Sequence, residues 1–311
     1  MNKRKCEVCG SSHTVKNGVR NGVQLYKCQD CGYHFRSGTA VSEDELWEAY
    51  QQQKQTIKEL SERFGMSVST VKRRLQGIKR EWVHPPLSGS GFLHLDTTYW
   101  GRSFGVLLAL DHATGKPLYI AFVKSETTKD YEDAVQSVKE RGYAIEGIII
   151  GGKQSLFRSF AEYPIQMCQF HMKQITKRYL TKNPKLLAAR ALNALVDKLT
   201  RSEESVFKAE FAAWKDEWHD MIDRRSIYKD GSIHYTHQRL RSAMHSLDFY
   251  MPYLFTYQRE DCNGMPNTNN KIEGTFTDLK KNLNNHSGLT KENRKRFISG
   301  FFLALNDELQ L

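Results

Sequence analysis

Two cysteine pairs near the start of the chain limit its possible folds more than any other feature. Two residues separate Cys6 from Cys9 and Cys28 from Cys31, and eighteen residues lie between the pairs. Gly10 and Gly32 follow the second cysteine of each pair and make each a tight knuckle. Two such knuckles bring four thiolates around one tetrahedral Zn²⁺. Gly18, Gly22 and the alternating run Val23 to Lys27 between them read as a β-ribbon. A disulfide pair is the competing explanation, and a reducing compartment disfavours it. Residues 1–40 are therefore expected to form a structural zinc ribbon on Cys6, Cys9, Cys28 and Cys31.

A ribbon this small leaves most of the 311 residues to other work, and the charge indicates what kind. The formal net charge is +11, a field that favours a polyanion, most simply nucleic acid. The first residues, Met1 to Lys5, do not read as a secretory signal, and the longest apolar runs are far short of a membrane span. A cytoplasmic, nucleoid-associated protein with no membrane partner is expected.

Residues 41–80 read as three short helices. Ser42 is a fitting N-cap for the first, with Glu45 three residues on to complete a capping box. The second covers Thr56 to Phe64 and stops at Gly65. The third covers Ser67 to Leu75. Ile57, Leu60, Phe64, Met66, Val71 and Leu75 fit the core of a helix-turn-helix. Ser69, Thr70, Lys72, Arg73 and Arg74 then form an exposed face suited to phosphates and base edges. An ordinary helical hairpin with a solvated basic face is the plainer alternative.

Residues 81–91, with Pro85-Pro86 and Ser88 to Gly91, read as a linker. Strands are expected at Phe92–Trp100, Phe104–Asp111 and Pro117–Val123, joined as an antiparallel meander. A helix at Thr128–Arg141, a buried parallel strand at Ile145–Ile150 and a short strand at Ile165–Cys168 follow. This β-β-β-α-β-α-β order is that of an α/β ribonuclease H-like domain, here residues 92–311. The stretch from about 173 to 258 reads as a mainly helical insertion, with Leu195, Phe211, Trp214 and Trp218 as core. A helix opens at Thr268 to Phe276 and runs to Leu283. The basic stretch Lys291 to Arg296 leads into an apolar helix at Phe297–Leu305.

These pieces carry a resemblance. The cysteine pairs, the three helices, the strand His94-Leu95-Asp96-Thr97-Thr98, the segment Cys168-Gln169-Phe170-His171 and the segment Asn269-Asn270-Lys271-Ile272-Glu273-Gly274-Thr275-Phe276 resemble, in this order and separation, a DDE-type insertion-sequence transposase of the Mutator-like group. The resemblance covers nearly the whole chain. It implies a transposase that binds double-stranded DNA at the element's termini and at its target. It also implies Mg²⁺- or Mn²⁺-dependent strand cleavage and transfer, and a homo-oligomer on DNA. Three carboxylates would hold the ions. Asp96 matches the first and Glu273 the third, while Cys168, His171 and Asn270 match supporting positions.

The second carboxylate is where the chain departs from that pattern. Gly151 stands where an aspartate is expected, after Ile148-Ile149-Ile150. Asp111 and Glu146 should lie at the wrong end of the sheet to replace it, whereas Glu126, Asp130 and Asp133 remain open. Impaired cleavage is expected, with a non-cleaving DNA-binding protein or repressor as the alternative. Lys280, Lys281, Lys291, Arg294, Lys295 and Arg296 are either phosphate contacts or a solvated basic face.

Overall fold

The computed structural model describes residues 4–6, 8–20, 23–36 and 41–308. Residues 1–3, Gly22 and the expected boundary at residue 40 lie outside them. The chain divides into two compact units, residues 1–78 and 79–311.

In the first unit, β1 (Thr14–Arg20), β2 (Val23–Cys28) and β3 (His34–Arg36) form an antiparallel sheet. Its apolar core is slight: Cys6, Cys28 and Phe35, with Tyr26 against them. The two knuckles repeat one geometry. The Gly10 N–H donates to the Cys6 carbonyl at 2.9 Å, and the Gly32 N–H to the Cys28 carbonyl at 3.0 Å. Both glycines have left-handed φ, +70° and +74°, which a side chain would strain. Next come α1 (Glu43–Gln51), α2 (Ile57–Arg63) and α3 (Val68–Gly77). Leu46, Leu60, Val71, Leu75 and Ile78 are buried among them. Ser42 caps α1 through the Glu45 N–H at 3.0 Å, but the reciprocal capping box forms at α2, between Thr56 and Glu59.

The second unit is a five-stranded mixed sheet covered by helices. Its strands are β4 (Ser90–Trp100), β5 (Phe104–Asp111), β6 (Pro117–Val123), β7 (Ala144–Ile150) and β8 (Ile165–Met167), in spatial order β6-β5-β4-β7-β8. The first three pair antiparallel, whereas β4–β7 and β7–β8 are parallel. Every residue of β5 is buried, as an apolar strand in the interior of a covered sheet should be. Helix α4 (Thr128–Glu140) crosses between β6 and β7, and α5 (Gln154–Ser159) between β7 and β8. Tyr131, Ala134, Val135 and Val138 of α4 join Leu93, Leu95, Leu107 and Ala109 in the main core.

The expected helical insertion is α6 (Gln169–Leu180), α7 (Leu187–Lys198), α8 (Glu204–Glu217), α9 (His219–Asp223) and α10 (Gln238–Tyr250). It also contains a hairpin that the sequence reading leaves out, β9 (Arg225–Ile227) paired with β10 (Ile233–Tyr235). Leu195, Phe211 and Trp214 are buried, with the Trp214 indole donating to the Ala188 carbonyl at 3.0 Å, so they serve packing. Two more helices follow, α11 (Asn270–Asn284) and α12 (Lys291–Glu308). The basic stretch at 291–296 is the first part of α12 rather than a lead-in to it. Lys295 lies over the rings of Phe104 and Phe122, at 5.7 and 5.1 Å from their centroids, so its charge is partly spent inside the fold. No helix of the described residues is long and apolar enough to cross a membrane.

Candidate functional site

The four cysteines of the first unit come together. Sγ of Cys6 is 3.6 Å from that of Cys31, and Sγ of Cys9 is 3.6 Å from that of Cys28. All four sulfurs lie within 4.8 Å of one another, far beyond an S–S bond and compatible with one tetrahedral Zn²⁺. The Cys9 N–H, the largest influence on the Cys6 thiol, helps pull it down to about 7.

On α3 the residues expected to face DNA separate into two groups. Ser69, Lys72 and Arg73 are exposed. Thr70 is half-buried, and its hydroxyl and N–H both meet the Ser67 cap. Arg74 corrects the expectation outright. Its guanidinium turns inward, donates to the Val41 carbonyl and reaches Met66 Sδ at 3.5 Å. Its guanidinium ties the segment before α1 to α3.

In the second unit the site grows from strand alternation. Successive residues of β4 point to opposite faces. His94 and Asp96 share one face, and Thr97 takes the other. The parallel register pairs His94 with Ile149, so Asp96 stands level with Gly151, just past the end of β7. The register with β5 sets Asp111 opposite Leu93. There Asp111 accepts from Tyr143 and Thr114, each at 2.5 Å, and Glu146 accepts from Ser90 at 2.5 Å. Both acids belong to the other end of the sheet, as expected.

A loop and a helix deliver the remaining groups. The N–H of Asn269 donates to Cys168 Sγ at 3.2 Å, and its side-chain amide meets His94 Nδ1 at 2.7 Å and the Leu95 carbonyl at 3.3 Å. Those bonds pin the start of α11 to β4 and to Cys168, the N-cap of α6. Asn269 is fully buried, whereas Asn270, the expected supporting residue, is exposed in the first turn of α11. Burial holds the His94 imidazole down to about 4, so it is neutral and relays between Asn269 and His112, whose Nδ1 is 3.0 Å away. Nothing in the sequence pattern separated Asn269 from Asn270; only the docking of α11 does.

One turn into α11, Glu273 faces His171, with Oε1 3.8 Å from Nε2. Among the described residues, that Glu273 oxygen and His171 Nδ1 are buried without a hydrogen-bond partner. A cleft of about 450 Å³ opens beside them, lined by Asp96, Glu126, Tyr131, Gly151, His171 and Arg178 among others. A larger cleft, of about 580 Å³ near Leu186, Tyr235 and Arg239, has no acidic residue among the described residues of its lining.

Of the acids left open by the sequence, Glu126 alone enters this cleft. Its carboxylate accepts from the Tyr131 hydroxyl at 2.8 Å, which in turn is 3.0 Å from the Thr97 hydroxyl. Asp130 caps α4 through Thr127, and Asp133 pairs with Lys129. Burial lifts the Asp96 carboxyl to about 7, against the pull of the Thr97 N–H and with help from the Glu126 charge. Burial also raises Glu273, with His171 pulling down and Asp96 pushing up. The site thus disfavours its own negative charge, and a bound cation would relieve it.

A side chain fits at position 151. The nearest atoms a Cβ there would meet belong to His171, at 3.6 Å or more, which is ordinary contact. Gly152 differs, since a Cβ there would sit 2.5 Å from Ile175 Cδ1.

The Asp96 shift gives a pH dependence. Its folded value exceeds the unfolded one, so the unfolded chain ionises first. Stability therefore falls as pH rises from about 4 to about 7 and stays lowered above. Asp96→Asn without added divalent cation should raise the melting temperature at pH 8 and leave it unchanged at pH 3.5. After a discount for partial exposure the gain is about 1–2 kcal/mol, or a few degrees. Equal gains at both pH values would show that charge is not the cause.

Neither a family model nor a curated protein sequence matches this chain. Among solved structures, it is similar to a chain of the Drosophila P element transposase strand transfer complex, at 10% identity and TM-score 0.40, over 91% of this chain and 95% of that one. It is also similar to a chain of the simian T-cell lymphotropic virus intasome in complex with PP2A regulatory subunit B56 gamma. There the identity is 12% and the TM-score 0.22, over 52% of this chain and 69% of that one. Likenesses this remote do not bear on what the chain does.

Proposed function

We propose that this chain is a DDE-type transposase whose cleavage of DNA is impaired at Gly151. The observation that carries this reading is that Asp96 and Glu126 line one cleft past the ends of β4 and β7, while Glu273, whose Oε1 is buried and unpartnered among the described residues, feels the Asp96 charge. Carboxylate oxygens are the donors that Mg²⁺ and Mn²⁺ require, so Asp96 and Glu273 would hold such an ion, with Glu126 in the same cleft as Asp96. When bound, it would polarise a phosphodiester and activate the attacking oxygen. The chain's own residues have distinct tasks. Asn269 and His94 fix α11 against β4, Tyr131 aims Glu126, and His171 backs position 151 and Glu273. Exposed Lys280 is close enough to Asp96 to favour its charged form, which suits a phosphate-facing cation at the rim.

In this reading, the four-cysteine sheet is a zinc ribbon, and the three helices bind the element's termini through Ser69, Lys72 and Arg73 of α3. A homo-oligomer on DNA goes with it. A second reading, a non-cleaving DNA-binding protein or repressor, is favoured by one observation, the glycine at 151.

Testing α3 requires the full chain and duplex DNA flanking its gene. Arg73→Ala should weaken binding by about 1–3 kcal/mol if the side chain reads a base, and less if it meets only phosphate. Arg74→Ala should instead lower stability by about 1.5 kcal/mol, through loss of a charged hydrogen bond to Val41. Gel-shift titration and thermal melts of both variants separate the roles. Normal DNA binding by Arg73→Ala would remove α3 as the reading helix.

A further inference from the structure

Cys168, His171 and Glu273 form a cluster that a hard-cation site does not explain. Their ligand atoms all lie within 4.8 Å of one another. Cys168 caps α6 and His171 is one turn further on, so both project from the start of the same helix. Glu273 arrives from α11, which Asn269 locks in position. The 3.8 Å between His171 Nε2 and Glu273 Oε1 is too long for a hydrogen bond. It suits two ligands of one ion, since donors around tetrahedral Zn²⁺ stand roughly 3.3–3.8 Å apart. The buried Glu273 oxygen has no other partner among the described residues. Left so, it is costly.

We infer that Cys168, His171 and Glu273 bind one thiophilic divalent ion, Zn²⁺ being the natural candidate, and that this ion competes with the hard cation for Glu273. Sulfur and imidazole select against Mg²⁺, which takes oxygen donors. Three protein ligands leave a fourth position open, as in zinc sites that exchange their ion or hold water. The Asn269 N–H, 3.2 Å from Cys168 Sγ, supplies the hydrogen bond that a ligating thiolate receives from its surroundings. Binding would release the thiol proton to solvent and form the metal–sulfur bond, with no change of oxidation state. Binding of Zn²⁺ does not depend on the transposase reading, whereas the competition does, because it takes Glu273 as a ligand of the hard cation. Zn²⁺ would then switch the site off by occupying one of its carboxylates.

Co²⁺ is the probe, because its thiolate complexes absorb in the near ultraviolet. The full chain, with its four-cysteine site filled with Zn²⁺, should take up about one further equivalent of Co²⁺ and develop the thiolate-to-metal band. Cys168→Ser should abolish that band, and Glu273→Gln should weaken Co²⁺ binding by about tenfold or more. Melting curves and retained Zn²⁺ establish that each variant is folded. Absence of the band in the unmodified chain, or an undiminished band in folded Cys168→Ser, overturns the site. If Cys168→Ser does not fold, unchanged Co²⁺ affinity in Glu273→Gln overturns it. Electron paramagnetic resonance of Mn²⁺ then separates the two readings. Zn²⁺ should expel bound Mn²⁺ from the unmodified chain but not from Cys168→Ser. A Co²⁺ band beside Mn²⁺ that Zn²⁺ leaves in place, or beside no Mn²⁺ binding at all, overturns the competition and removes Glu273 from the hard-cation site.

Discussion

Gly151→Asp is expected to raise Mg²⁺-dependent strand cleavage by about a thousandfold, equivalent to about 4 kcal/mol of transition-state stabilisation. The new carboxylate would stand level with Asp96, against His171, with no steric cost to its Cβ. It would add a ligand oxygen where the present site has to rely on Glu126, whose carboxylate is already engaged by Tyr131. Nicking of supercoiled plasmid carrying the DNA that flanks the gene measures this. In the Gly151→Asp background, Asp96→Ala and Glu273→Ala should each return cleavage to background. Glu126→Gln should remove the slow residual nicking of the unmodified chain. Cleavage that survives loss of both Asp96 and Glu273 would exclude a carboxylate-held cation at this site. Unmodified protein as fast as Gly151→Asp would mean that Glu126 already fills the second position.

Loss of Zn²⁺ should unfold the three-stranded sheet of the first unit. Among the described residues its apolar core is three buried residues, two of them cysteines, and a sheet that small has too little buried area to stand alone. Metal binding would then be most of its folding energy, about 10 kcal/mol or more in apparent terms. The purified chain should retain one Zn²⁺ at its four-cysteine site through dialysis, and Cys6→Ser should lose both that ion and the sheet, read from amide resonances of residues 14–36. A Cys6→Ser variant that keeps those resonances dispersed without metal would show that packing alone holds the sheet.

The strands of the second unit are legible in the sequence because their signals are local. Phe104–Asp111 and Pro117–Val123 fall where expected, residue for residue, since turns at Gly101 and Gly115 bound apolar runs of strand length. The α4 cap is legible for the same reason, with Thr127 and Asp130 three residues apart. The β9–β10 hairpin escapes such a reading. Its strands are three residues each, too short for alternation to stand out from chance, and Ile227 and Ile233 face solvent.

Side-chain roles divide along the same line. Arg73 and Arg74 are adjacent cations that composition cannot tell apart. The helical rotation of about 100° between them sends one to solvent and the other back over Val41. Asn269 and Asn270 separate in the same way. The acids near residue 130 also look alike in sequence, yet Asp130 is consumed as a cap and Asp133 by Lys129, which leaves Glu126 for the cleft.

The sequence by itself determined the spacing of the four cysteines, the order of the strands, the acid inside β4 and the glycine at 151, because each depends on neighbours only a few residues away. The tertiary structure alone decided which acid reaches Asp96, which asparagine locks α11, and that Cys168, His171 and Glu273 meet. Such groups lie up to 175 residues apart in the chain, from His94 to Asn269, and only sheet register and helix docking bring them within a few ångströms.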